Sequence, residues 1–476
     1  MRNSIKDLLE SMEIQKHTTE TFHEIEKLQN PSNCSFVFIS SSETEKGELR
    51  KHGNKYVVTL AANRNYNSFS ESIFPAKIEV GNDAYYSDDA LVTKTTISSN
   101  VFPAIEYEVS LSNLHKGNDS KFYRIVLPLN RELDLIGLFT VYNFCFNHYG
   151  SSIELVKTYI EGREFHIYKL SNNNSKYLLI DCLSEIAYED FYNQVICILC
   201  ALGILTGCFV EDECFILSSD TLDFSSVCSI RFRSLRKSIY APYQILPTNP
   251  YNFFPSDIAH SKQNLMAHIH TDVFTRLVNK TYFSITLENS LFIFLEALSY
   301  PLDTQPACLS VVLEGLCNYI KEDNDKPFKP ITDKRKAREL KKCMKQLLDG
   351  YESDFSPNGK QIIKKRIDDI NNPTNRGKFE KAISLLGLEL TDYEKEALLN
   401  RNTFLHCTAE LKSDYIEIKQ DSPEYVKLFL ACQILVRLLY KMILKIIGYE
   451  GNIVNILKHN DNLFESIKDE PMLIEI

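Results

Sequence analysis

The chain has little glycine and none of the loops that glycine builds for nucleotides. Its 16 glycines are spread thinly over 476 residues, and Gly81, Gly203 and Gly207 stand apart from any Walker or dinucleotide-binding pattern, which excludes a glycine-rich phosphate cradle. A Gly-x-Ser-x-Gly elbow is also missing, which removes the serine nucleophile of the α/β-hydrolase type. No internal repeat or low-complexity tract is present. The longest apolar stretch, 425–449, is interrupted by Gln433, Arg437, Lys441 and Lys445. These recur every four residues and draw one polar stripe along a core helix, not a membrane span. The first residues show no charged-then-apolar leader. The 13 cysteines are odd in number and scattered, so the expected setting is a reducing cytosol without membrane association. Cys197 and Cys200 have zinc or redox spacing, but they sit in the apolar run 195–205 with no second pair, and read as buried core thiols. No cofactor and no resident metal is implied.

What is present is ordinary globular composition, 44% hydrophobic and 24% charged, in a chain long enough for two or three domains. The net charge is −10 and the pI about 5.7, so a nucleic-acid-binding surface would have to be local. After a helical opening (5–28), short alternating or β-branched runs follow at 35–40, 55–60, 76–80, 91–98, 104–111, 122–127 and 164–170. A helix at 188–203 and strands at 213–217 and 229–234 complete this half. The three prolines in 240–252 mark a boundary, and from about His260 the apolar period becomes 3.6. The fold class is therefore α+β: residues 1–250 are expected to form an antiparallel β-rich sheet or sandwich, and 260–476 an all-α unit. Helix ends are legible at Thr304-Gln305-Pro306, at the capping box Thr391-Asp392-Tyr393-Glu394, at Asp421-Ser422-Pro423 and at Gly448.

The most informative motif is Arg401-Asn402-Thr403-Phe404-Leu405-His406, which joins a permanent cation to a side chain that titrates near neutrality. On an unbroken helix residues five apart are rotated by about 500°, leaving the two side chains about 140° apart. Asn400 and Asn402 favour a helix terminus at which they converge. A neutral His406 would take the proton of a ribose 2′-hydroxyl, Arg401 would stabilise charge on the phosphorus oxygens, and Asn402 would orient the imidazole or bind a phosphate oxygen. Alternatively, a loop Arg-Asn…His could simply tie two helices together.

Just upstream, Lys321 to Lys381 holds 17 Lys/Arg against 11 Asp/Glu, which leaves −16 for the rest of the chain. Lys334, Arg335, Lys336, Arg338, Lys341 and Lys342 are candidate RNA-backbone contacts, which supply affinity without sequence information, or else form a solvated helix face.

The helical context, the Arg-polar-x-x-x-His motif, the upstream Leu313-Glu314-Gly315-Leu316 and the ending Ile446-Ile447-Gly448-Tyr449 together resemble the HEPN superfamily over about residues 283–457. The β-rich front half is similar to that of HEPN proteins in anti-phage abortive-infection systems. The resemblance implies a metal-independent endoribonuclease with RNA as substrate. It also implies a homodimer or higher oligomer with a composite site between protomers, answering to a phage-derived trigger. Glu314 is the acid that would support Arg401, although Ser310, Glu314, Asn318 and Lys321 also form a plain polar stripe. Where some family members carry a modifiable Tyr two residues after the His, this chain has Thr408, so control is expected from its own N-terminal half, residues 1–250, as a sensing or regulatory domain. Two other readings stand beside this one: a non-catalytic HEPN module that binds nucleotide, RNA or protein, and a metal phosphoesterase using His268 and His270.

Overall fold

The computed structural model describes residues 16–39, 43–62, 73–97, 105–146, 151–351, 355–356, 358–399, 424–460, 467 and 469–476. The chain divides into two compact units, one of Met1–Tyr240 with His268–Tyr282, the other of Ala241–Ala267 with Phe283–Ile476.

In the first unit, helix α1 (Thr19–Gln29) buries Thr21, Phe22, Ile25 and Leu28 along one face, the spacing that amphipathic helices require. Six strands follow: β1 (Ser32–Phe38), β2 (Glu43–His52), β3 (Lys55–Ala62), β4 (Ile73–Val80), β5 (Asp83–Ile97) and β6 (Ile105–Leu111). The expected antiparallel β-rich sheet is formed, and these six strands close it into a ring, β4-β1-β2-β3-β6-β5, through an added β4–β5 pairing. The fifteen-residue β5 makes closure possible, because it pairs with β4 from Asp83 to Leu91 and with β6 from Leu91 to Ile97. Register shifts at Phe74/Ala76 and Val92/Lys94 supply the bends that a small barrel needs. Alternate residues fill the interior: Phe36 and Phe38 from β1, Tyr56, Val58 and Leu60 from β3, and Tyr107, Val109 and Leu111 from β6. The polar β2, Glu-Thr-Glu-Lys-Gly-Glu-Leu-Arg-Lys-His, carries almost no apolar alternation and escapes any reading by pattern.

From the barrel the sheet continues through β7 (Asn113–Gly117), β8 (Phe122–Leu129), β9 (Tyr142–Phe146), β10 (Ser151–Ile160), β11 (Arg163–Asn172) and β12 (Ser175–Cys182). Helix α2 (Tyr188–Thr206) comes next, then β13 (Cys208–Phe209), β14 (Glu213–Ser219), β15 (Ser229–Ser234) and β16 (Ile239–Tyr240). Beyond β5 the order is β7-β15-β14-β8-β12-β11-β10-β9, while β13 and β16 pair separately. Of the described helices, α2 alone is long and apolar enough to cross a membrane, but it is mostly buried within this unit. Phe191 stacks on Tyr123 of β8 at 5.3 Å, Cys197 and Cys200 are buried thiols, and Gly207 at φ 70° ends the helix. Helix α3 (Thr271–Phe283) turns Phe274, Leu277, Val278 and Thr281 inward, with Phe274 edge-on to Phe139 at 5.1 Å.

A buried ion cluster fixes the start of α1 to this sheet. Arg124 and Asp181, direct partners across β8 and β12, are 0% and 1% exposed. Asp181 accepts from Arg124 Nε at 2.8 Å and Nη2 at 3.0 Å, from Lys16 Nζ at 2.6 Å and from the Tyr168 hydroxyl at 2.9 Å. Arg124 also donates to the His17 carbonyl at 2.6 Å and to Thr21 at 2.9 Å. Burial alone would raise the pKa of Asp181, but the Arg124 and Lys16 charges overcome it and hold the carboxyl well below its usual range.

The second unit is helical, with α4 (Ile285–Ala297), α5 (Gln305–Asp323), α6 (Lys334–Asp349), α7 (Gly359–Asp369), α8 (Asn375–Leu385), α9 (Asp392–Leu399) and α10 (Glu424–Ile446). Pro306 stands in the first turn of α5, and Gly448 takes φ 69° after α10. The unit is not purely helical. The β-branched and apolar segments β17 (Asn452–Val454) and β18 (Leu473–Glu475) pair as a short antiparallel ladder.

Asp181→Asn would leave two buried cations without their counter-charge and should destabilise the first unit by about 3–5 kcal/mol. Urea unfolding followed by tyrosine fluorescence measures this, and a loss below about 1 kcal/mol would show that the cluster is not structural.

Candidate functional site

Helices α9 and α10 bracket the stretch that holds the Arg-Asn…His motif, and a second buried ion cluster locks them together. Glu394, in the first turn of α9, completes the capping box: its Oε2 accepts from the Thr391 backbone N–H at 2.9 Å, and Thr391 Oγ1 accepts from the Glu394 N–H at 3.3 Å. Its other oxygen accepts from Arg437 Nη2 at 3.1 Å and Lys441 Nζ at 2.8 Å, both on α10. Arg437 and Glu394 are fully buried. Arg437 also donates to Asn455 at 2.9 Å, to Glu470 at 3.1 Å and to the Tyr393 hydroxyl. Tyr393 in turn donates to Glu470. The stripe of Gln433, Arg437 and Lys441 thus faces the interior, where Gln433 donates to Tyr243 at 2.8 Å.

Burial pushes Glu394 toward its neutral form, and Arg437 and Lys441 outweigh that effect, so its pKa is lowered. A carboxyl depressed in the folded state stabilises above its unfolded pKa, and that contribution is lost as pH falls through the folded value.

Arg401, Asn402, His406, Thr408 and the cap Asp421-Ser422-Pro423 lie outside the described residues. Glu314 is on α5, where it accepts from Lys378 Nζ of α8 at 3.2 Å, and Lys378 also reaches Asn318 at 3.0 Å. The acid expected to steady Arg401 thus has a cation partner on a neighbouring helix. Ser310 from the same stripe is buried and bonds the Pro306 carbonyl.

The basic candidates lie on α6, which begins at Asp333, whose carboxylate accepts from the Arg335 N–H at 2.8 Å. At 100° per residue, Lys334, Arg335, Arg338, Lys341 and Lys342 fall within an arc of about 120°, with Lys336 apart from them. Lys334, Lys336, Arg338 and Lys342 are exposed. Arg335 is exposed too and pairs with Glu339 at 3.2 Å, a contact of little energy in water. Lys341 donates to the Asp368 carbonyl, and Lys345 meets the Asp368 carboxylate at 2.5 Å. Lys360 and Lys364 of α7 reach Asp349 at 3.0 and 3.2 Å. These lysines tie α6 to α7 and leave the outer cations to solvent.

In the first unit, His268 and His270 pack edge to face, 4.7 Å between ring centres, and His268 Nε2 lies 3.0 Å from Thr140 Oγ1. Among the described residues, no group of three or more His, Cys, Asp or Glu side chains is placed to share a metal ion.

The inward aim of Arg437 and Lys441 was missed in the sequence. Its only signal was an acid, Glu394, which serves as cap and as ion partner at once.

Compared with family models, curated proteins and solved structures, the chain matches none.

Glu394→Gln should cost about 3–5 kcal/mol at pH 7, since it leaves Arg437 and Lys441 buried with less counter-charge. The wild-type urea midpoint should fall as the pH drops below about 4.5, the ordinary glutamate value, and less steeply in the variant. Parallel pH profiles would contradict the assignment.

Proposed function

We propose that the helical unit is a metal-independent endoribonuclease of the HEPN type, in which Arg401 and His406 act on RNA. The observation that carries this reading is the clamp of Glu394 on Arg437 and Lys441. It fixes the two helices between which the motif lies in the chain, and catalytic groups need rigid supports. In the proposed reaction His406 removes the proton of a ribose 2′-hydroxyl, and that oxygen attacks the adjacent phosphorus. The bond to the 5′-oxygen breaks, and that oxygen takes up a proton. Arg401 stabilises the charge on the non-bridging oxygens, and Asn402 orients the imidazole. The products are a 2′,3′-cyclic phosphate and a 5′-hydroxyl, so DNA, lacking the nucleophile, is not cut. The exposed cations of α6 hold the RNA backbone. Two protomers supply the site, in a cytoplasmic protein of phage defence or toxin type that answers to a phage-derived trigger.

A second reading, a non-catalytic HEPN module that binds RNA, is favoured by the pairing of Glu314 with Lys378, which engages the acid that the catalytic reading assigns to Arg401.

His406→Ala and Arg401→Ala should each abolish cleavage while folding and dimerisation persist. End analysis of products from the wild-type protein should show 2′,3′-cyclic phosphates. RNA that is bound but never cut would select the second reading, and 5′-phosphate ends would overturn the mechanism.

Replacing Lys334, Arg338 and Lys342 by Ala should weaken RNA binding similarly across sequences and lower the salt slope by about one for each phosphate no longer neutralised. Fluorescence anisotropy over a salt series measures this, and an unchanged slope would remove α6 from the interface.

A further inference from the structure

In the second unit, helices α5 and α10, the turn that joins α4 to α5 and the segment Pro242-Tyr243 surround a cavity of about 250 Å³. Helix α4 stops at Ala297 and α5 starts at Gln305. Between them Pro301 bends the chain, and its carbonyl accepts from the Thr304 and Gln305 N–H groups. Leu298 and Leu302 of this turn form one wall. Phe429, Cys432 and Val436 of α10 form another, at the i, i+3, i+7 spacing that places them on one helix face. Ile456 adds to the apolar lining.

Among the described residues that line the cavity none is charged. Burial pushes the Cys432 thiol up to about 12, so it too is neutral near pH 7. Two polar groups keep unused hydrogen-bonding capacity. The Tyr243 hydroxyl accepts from Gln433 Nε2 at 2.8 Å, and its own hydrogen has no acceptor among the described residues. Stacking on His459, 5.9 Å between ring centres, holds the Tyr243 ring in place. Gln305 donates its amide N–H to the Ala297 carbonyl at 2.9 Å. Its Oε1 has no donor among the described residues and is not sealed from solvent. Tyr243 and Gln305 are both half-buried, so an incoming molecule can meet them.

We propose that this cavity binds a small neutral aromatic amide. The ring sits among Leu298, Leu302, Phe429, Val436 and Ile456, the ligand carbonyl accepts from the Tyr243 hydroxyl, and the ligand N–H donates to Gln305 Oε1. A charged ligand is disfavoured, because no counter-charge is present to offset its lost hydration. A wholly apolar ligand would fit the walls but strip water from both polar groups without replacing it. Apolar cavities of about 150 Å³ already hold benzene, so a single ring with a carboxamide is accommodated. The proposal does not depend on RNA cleavage by Arg401 and His406.

Isothermal titration calorimetry on the full chain tests this with three probes: benzamide, benzoate, which has the same shape with a charge, and toluene, which has the ring without the amide. Benzamide should bind at least about tenfold more tightly than benzoate. Tyr243→Phe, which removes only the hydroxyl, should weaken benzamide about fivefold and leave toluene unaffected. Leu302→Trp, at a half-buried position, fills the cavity and should abolish binding of both. Circular dichroism checks that each variant folds. Absence of benzamide binding, benzoate binding as tightly as benzamide, or wild-type benzamide affinity in either folded variant would overturn the proposal.

Discussion

A carboxylate taken out of water persists only where cations and donors replace its hydration, and each unit is organised around one such group. Asp181 is met by Arg124, Lys16 and the Tyr168 hydroxyl. Glu394 is met by Arg437 and Lys441, with the Tyr393 hydroxyl on the same arginine. One arginine and one lysine surround each acid, and further oxygens take up the remaining donors: the His17 carbonyl and Thr21 in one case, Asn455 and a second carboxylate, Glu470, in the other. The partners are far apart in sequence. Each cluster therefore selects one arrangement of distant segments, a specificity that apolar packing, which lacks direction, supplies less sharply.

Much of the architecture was legible because it rests on local rules. The alternating runs became strands at nearly their expected places, the capping box at Thr391 formed with both of its hydrogen bonds, and Gly448 took the positive φ expected of a helix stop. The misses share a cause, since each depends on contacts distant in sequence. Barrel closure follows from the length of β5 and its two partners, and β2 is a strand because its neighbours pair with it, not because of its own side chains. The inward stripe on α10 looked like any polar stripe, since periodicity gives the direction of a face and not what it meets. Of the candidate site, the cationic helix and the position of Glu314 were legible in part. The pairing of Glu314 with Lys378 was not, because it joins helices 64 residues apart in the chain.

Charge is distributed unevenly along a chain whose net charge is −10. The α6–α7 hairpin concentrates cations, yet Lys341, Lys345, Lys360 and Lys364 are turned toward Asp349 and Asp368. The hairpin is thus held by part of its own charge, and the remainder is presented outward.

A sheet of fourteen strands ordinarily has two open edges, each a row of unpaired backbone groups that can recruit another chain. Here the pairing of β4 with β5 folds one end of the sheet back on itself. Among the described strands only β9 remains as a terminal strand of this sheet, so of its two ends one alone can be extended by an added strand.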